Sequence, residues 1–126
     1  MRPVRILLVE DNEVFRDALE LLLGMRADVE VVASVGDGAT AVSAAIEHRP
    51  DVVLMDYRLP TLDGIQATAQ VVAAVPDLAV VALTASADDA EREALLDAGA
   101  VACLAKDQEL DEIVAAILDA APAAAG

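Results

Sequence analysis

Short apolar runs alternate along the chain with longer stretches at helical spacing. Ile6–Val9, Val52–Met55, Val80–Leu83 and Val101–Leu104 are almost unbroken Val, Ile, Leu, Met, Ala and Cys. Such runs predict strands buried on both faces, as in a parallel sheet covered by helices. Val29–Ala33 is interrupted by Glu30 and predicts an edge strand. Between the runs the spacing turns helical. Leu110, Ile113, Val114, Ile117 and Leu118 fall at i, i+3, i+4, i+7 and i+8, one buried face. Near the N-terminus Val14, Ala18, Leu22 and Met25 predict an inward stripe, widened by Phe15, Leu19 and Leu23. Asp88 is an expected N-cap for a helix to about Asp97, and Gly99 stands where a C-cap belongs. The order is βα repeated five times, which predicts an α/β fold with a doubly wound parallel sheet.

Length and composition narrow this. The 126 residues suit one domain with one sheet. We expect the folded unit to span residues 1–121. Residues 122–126, Pro-Ala-Ala-Ala-Gly, read as a tail or the start of a linker to an output domain. Aromatic residues make up only 2 %, so Ala, Val and Leu must fill the core. The formal charge of −15 repels phosphate backbones and argues against direct nucleic-acid binding. Cys103 is the single cysteine, so no internal disulfide forms, in keeping with a reducing compartment. No signal-peptide pattern and no membrane-length apolar run is present, and a cytoplasmic location is expected.

In a doubly wound sheet, ligands bind beyond the carboxyl ends of the strands. Glu10 and Asp11 follow the first run, Asp56 the third strand, Thr84 the fourth and Lys106 the fifth. Sequence position alone puts these five on one rim. Three clustered carboxylates repel one another unless a cation joins them. Mg²⁺ suits such a set, since it takes oxygen ligands and keeps several waters. Asp11 and Asp56 are candidate ligands, with Glu10 acting directly or through water and the main-chain carbonyl of Arg58 as another. A carboxylate is also a competent nucleophile for phosphoryl groups. Lys106 and the Thr84 hydroxyl would then each partner a phosphoryl oxygen.

The motifs Leu8-Val9-Glu10-Asp11-Asn12, Leu54-Met55-Asp56-Tyr57-Arg58-Leu59-Pro60, Asp63-Gly64, Leu83-Thr84-Ala85 and Leu104-Ala105-Lys106-Asp107 occur in that order. Together they make the chain, from about Val4 to Ala121, resemble the response-regulator receiver domain of bacterial two-component systems. The resemblance leans to the NarL/FixJ/LuxR-type subfamily. It implies a flavodoxin-like, CheY-like (βα)5 three-layer sandwich with sheet order 2-1-3-4-5. It implies Asp56 as phosphoacceptor, Glu10 and Asp11 as the acidic pair for Mg²⁺, Thr84 as switch hydroxyl and Lys106 as phosphate-contacting lysine. A sensor histidine kinase would be the donor, and the domain would carry no enzymatic role beyond its own phosphorylation and dephosphorylation. Homodimerisation on phosphorylation, a C-terminal helix-turn-helix DNA-binding domain and control of transcription would follow. One position departs from the pattern: Cys103 stands three residues before Lys106, where receivers usually hold Tyr, Phe or His.

Other readings compete. A phosphatase-type hydrolase would need a second Asp two residues after the nucleophile, where Arg58 stands. A flavodoxin-like flavin carrier would need a Gly- and hydroxyl-rich loop where Glu10-Asp11-Asn12-Glu13 stands. A pseudo-receiver acting through protein contacts alone is the remaining alternative. Taken singly, Asp11 could be a helix N-cap, Asp63-Gly64 and Pro60 loop-shaping residues, His48 a residue at a helix C-terminus and Cys103 a small core residue.

Overall fold

The computed structural model describes residues 2–59, 62–85 and 88–121. Pro60, with its expected loop role, and the tail 122–126 lie outside the described residues. Ten elements alternate: β1 (Val4–Val9), α1 (Glu13–Gly24), β2 (Val29–Val35), α2 (Gly38–His48), β3 (Val52–Asp56), α3 (Gly64–Ala74), β4 (Ala79–Thr84), α4 (Asp89–Asp97), β5 (Ala102–Ala105) and α5 (Leu110–Ala120). The strands are parallel, in the order β2-β1-β3-β4-β5. This is the expected architecture, with the Glu30-bearing strand on an edge.

Alternation along the central strands sends side chains to two cores. Leu7, Val9, Val53, Met55, Val80 and Ala82 meet α2, α3 and α4. Ile6, Leu8, Val52, Leu54, Val81 and Leu83 meet α1 and α5. Every residue of β3 and β4 is buried, which explains their unbroken apolar character. Where α2 and α3 cover the sheet they bury Ala41, Ala44, Ala45 and Ala67, so few aromatic residues are needed.

Four expectations need correction. In α1 the buried residues are Leu19 and Leu23, with Phe15 packed against the same core. Val14 and Met25 are 81 % and 77 % exposed, and Ala18 and Leu22 are exposed too. Apolar residues occupy both faces of this helix, and only its orientation on the sheet selects one. In α5, Leu118 is exposed at the margin of a stripe buried at Ile113, Val114 and Ile117. Val101 precedes β5 and is exposed, although its N–H still bonds to the Val80 carbonyl. Asp88 does cap α4, accepting from Ala90 N, but Ala98 is the C-cap and Gly99 follows it at φ 120°. The left-handed conformation belongs to the residue just past the cap, which is where glycine is favoured.

Candidate functional site

The carboxyl ends of β1, β3, β4 and β5 converge. Glu10, just past β1, is only 1 % exposed. Its N–H bonds to the Val35 carbonyl at 3.0 Å, and Arg16 Nη1 donates to its main-chain carbonyl at 2.8 Å. Glu10 Oε2 accepts from the Asn12 N–H at 3.0 Å. The N-cap of α1 is Asn12, which accepts from the Phe15 N–H, so Asp11 is not the cap. Relieved of that duty, Asp11 is exposed on the rim.

Asp56 ends β3 and is 2 % exposed. The Tyr57 N–H bonds to the Leu83 carbonyl, and the Arg58 N–H approaches Asp56 Oδ1 at 3.3 Å. Beyond it Asp63 caps α3 in a reciprocal capping box with Gln66. Gly64 follows so closely on the loop that a Cβ there would lie 2.5 Å from the Asp56 carbonyl oxygen. Asp63-Gly64 is thus structural, as expected. Thr84 ends β4, buried, with its hydroxyl donating to Glu91 Oε2 of α4 at 3.4 Å.

Lys106 is drawn in by its own main chain, whose N–H bonds to the Thr84 carbonyl at 2.9 Å. Its ammonium lies 2.7 Å from Glu10 Oε1, 3.2 Å from Asp56 Oδ1 and 5.1 Å from the centre of the Phe15 ring. Burial alone would lower the lysine's pKa, but contacts with Glu10 and Asp56 hold it above its usual value. Burial, reinforced by Glu10, pushes the Asp56 carboxyl up to about 7 despite the opposing pull of Lys106.

One oxygen each from Glu10, Asp11 and Asp56 lies within 4.8 Å of the others. Opposite ligands of an octahedral Mg²⁺ stand about 4.2 Å apart, so small side-chain adjustments suit the cluster to that ion. Asp56 Oδ2 is buried without a hydrogen-bond partner, and the Lys106 ammonium meets two of the three clustered carboxylates, Glu10 and Asp56. A divalent cation would answer both features. The cluster opens into a groove of about 640 Å³ lined by Asp11, Tyr57, Arg58, Leu59, Asp63 and Glu91.

All five rim residues read from the sequence come together, and Arg58 borders them. His48 lies in the last turn of α2, and Cys103 is buried among core residues. Phe15, Arg16 and Glu91 escaped the sequence reading. Phe15 and Arg16 follow the Glu10-Asp11 pair by one helical turn, which could have marked them. Glu91 lies in the first turn of α4, where an acidic residue is favoured by the helix dipole alone.

The response regulator receiver domain family matches residues 6–118. The chain is 37 % identical over 114 residues to the transcriptional regulatory protein LiaR of Bacillus subtilis, covering 90 % of this chain and 54 % of that protein. It is 32 % identical to the transcriptional regulatory protein DegU of Brevibacillus brevis, covering 90 % and 48 %. The chain spans about half the length of the curated relatives it matches. Among solved structures, the signal receiver domain of the putative response regulator NarL from Mycobacterium tuberculosis superposes with a TM-score of 0.90 at 35 % identity, covering 94 % of this chain and 96 % of that one. The receiver domain of sensor histidine kinase PA1611 from Pseudomonas aeruginosa, which has a magnesium ion coordinated in its active-site cleft, matches at 0.79 and 37 %, covering 94 % and 97 %.

Proposed function

This chain belongs to the response regulator receiver domain family, a phosphoacceptor signalling module of two-component systems, and from that premise we propose that Asp56 is its phosphoacceptor. The observation that carries the assignment is the ammonium of Lys106 between Glu10 and Asp56, beside an Asp56 oxygen that is buried without a donor.

Asp11 and Asp56 Oδ2 would hold Mg²⁺ directly, with the Arg58 main-chain carbonyl. Glu10, whose two oxygens already meet Lys106 and Asn12, would act through water. When bound there, Mg²⁺ supplies positive charge to the phosphoryl oxygens. An Asp56 carboxylate oxygen attacks phosphorus in line as the bond from phosphorus to the donor imidazole breaks, its electron pair leaving on nitrogen. Lys106 then meets a second phosphoryl oxygen, and the Thr84 hydroxyl donates to a third. The acyl phosphate is lost by attack of water, so the domain reverses its own signal.

A sensor histidine kinase is the proposed donor, in the cytoplasm. No described helix is long and apolar enough to cross a membrane. We take residues 1–121 as the receiver and 122–126 as a tail or the start of a linker to an output domain. Because LiaR and DegU are transcriptional regulatory proteins, we take that output to be a helix-turn-helix DNA-binding domain controlled through receiver homodimerisation. The test is intact-protein mass spectrometry after incubation with acetyl phosphate, with and without Mg²⁺. One phosphoryl group is expected, only with Mg²⁺ and not in Asp56→Asn. An unchanged mass, together with no binding of beryllofluoride, would overturn the assignment.

A further inference from the structure

The Thr84 hydroxyl is already committed. It donates to Glu91 Oε2, and a hydroxyl has one hydrogen to give. An ionised carboxylate only accepts, so the direction of this bond is fixed. Glu91 is the third residue of α4, half-buried, and its side chain also lines the groove beside Asp11 and Arg58. On β5, Cys103 pairs with Ala82 of β4 and presents only a weak S–H donor. That thiol lies near enough to feel the charges of Arg92 and Glu91. The start of α4 and the end of β4 therefore meet at the Glu91 carboxylate.

We propose that Glu91 is a positioning residue for the switch: it latches the Thr84 hydroxyl toward α4 in the unphosphorylated chain, and phosphorylation of Asp56 draws the hydroxyl away and frees the first turn of α4. The inference rests on Asp56 as phosphoacceptor. The hydroxyl cannot donate to Glu91 and to a phosphoryl oxygen at once, so the two bonds exclude each other. Whatever binds the hydroxyl from the phosphoryl side must first displace Glu91. Apparent affinity for a phosphoryl mimic is reduced by the fraction of chains that are latched. The latch needs no large side chain at position 103, which suits a chain with cysteine there.

The test measures beryllofluoride affinity, in Mg²⁺, for wild type, Glu91→Ala and Glu91→Gln, each with Thr84 intact and with Thr84→Ala. Removing one hydrogen bond of this length should let Glu91→Ala bind about three- to ten-fold tighter. Glu91→Gln retains an accepting oxygen and should stay within about twofold of wild type. In the Thr84→Ala background, Glu91→Ala should change nothing. Equal affinity of wild type and Glu91→Ala overturns the latch, as does the same gain with Thr84 absent. A gain in Glu91→Gln equal to that in Glu91→Ala overturns it in favour of simple charge repulsion. No binding by wild type and Glu91→Ala alike overturns the phosphoacceptor reading, and the latch with it. The Thr84 methyl resonance of the unphosphorylated chain reports the contact directly. It should move in Glu91→Ala, and an unmoved resonance in that folded variant overturns the proposal.

Discussion

Lys106 Nζ stands closer to Glu10 than to Asp56, at 2.7 Å against 3.2 Å. The lysine from β5 is thus anchored on the acid after β1 and leans on the end of β3. Removing it leaves the buried Glu10 and Asp56 carboxylates without their cationic partner. Lys106→Met is expected to lose about 1–3 kcal/mol of stability in metal-free buffer, discounted for the lysine's partial exposure. Mg²⁺ should restore a large part of that loss, because it supplies the missing charge. Urea unfolding with and without Mg²⁺ checks this, and a Lys106→Met deficit that Mg²⁺ leaves untouched would rule it out.

Asp56 has the opposite effect on stability. Its carboxyl is held near 7 in the folded chain, against an ordinary value of 3.8, first by burial and then by Glu10. A carboxyl raised in this way favours folding fully below its unfolded value, and that contribution fades as pH rises from about 4 to 7. Asp56→Asn never ionises. It should therefore be more stable than wild type at about pH 8 without metal, by about 1–3 kcal/mol, and the gap should close toward pH 4. Denaturant midpoints across that range give the answer. Equal midpoints at pH 8 would mean that the Asp56 charge is already compensated without metal.

Two glycines should behave in opposite ways. A Cβ on Gly64 would meet the Asp56 carbonyl oxygen at 2.5 Å and Tyr57 Cα at 2.6 Å, all of it backbone that cannot swing aside. Gly64→Ala must push the loop or α3, at a cost of about 1–3 kcal/mol, and should slow phosphorylation by displacing Arg58. Gly24, at the end of α1, has nothing within 4 Å of such a Cβ and no positive φ. Gly24→Ala should be neutral or stabilising by up to about 1 kcal/mol. Thermal melts and acetyl phosphate labelling of the pair separate local crowding from a general intolerance of substitution.

The rim residues were legible in the sequence because a parallel βα repeat leaves little freedom. Once Val52–Met55 and Val80–Leu83 are strands running the same way, Asp56 and Thr84 must end at the same edge. The facing of α1 was not legible, for both of its stripes satisfy a 3.6-residue repeat. Nor was Glu91, whose contact depends on how far α4 is rotated against the end of β4. The α1 correction has its own test. Leu19→Ala and Leu23→Ala should each cost about 2–5 kcal/mol, whereas Val14→Ala and Met25→Ala should stay within about 0.5 kcal/mol. Comparable losses at Val14 and Leu19 would return the helix to the face first read from its sequence.

Far from the rim, Asp51 ties the starts of three strands together. Its carboxylate takes both Arg2 guanidinium nitrogens, at 2.9 and 3.0 Å, and the Arg5 N–H at 2.9 Å. Its main chain bonds to the Arg5 carbonyl and the Ala79 N–H. Burial works to raise its pKa, but the bonds from Arg2 and Arg5 outweigh burial and hold it below 3.8. A depressed carboxyl contributes stability above its unfolded value and loses it as pH falls through the folded one. Asp51→Ala should therefore cost about 1–2 kcal/mol at neutral pH, and the cost should shrink below about pH 4 as wild-type Asp51 takes up its proton. Arg2 is half exposed, so Arg2→Ala should cost under about 0.5 kcal/mol, leaving the Arg5 N–H as the bond that matters. Chemical unfolding at pH 7 and pH 3 measures both. An Asp51→Ala deficit that is the same at the two pH values would show that the lost charge is not its cause.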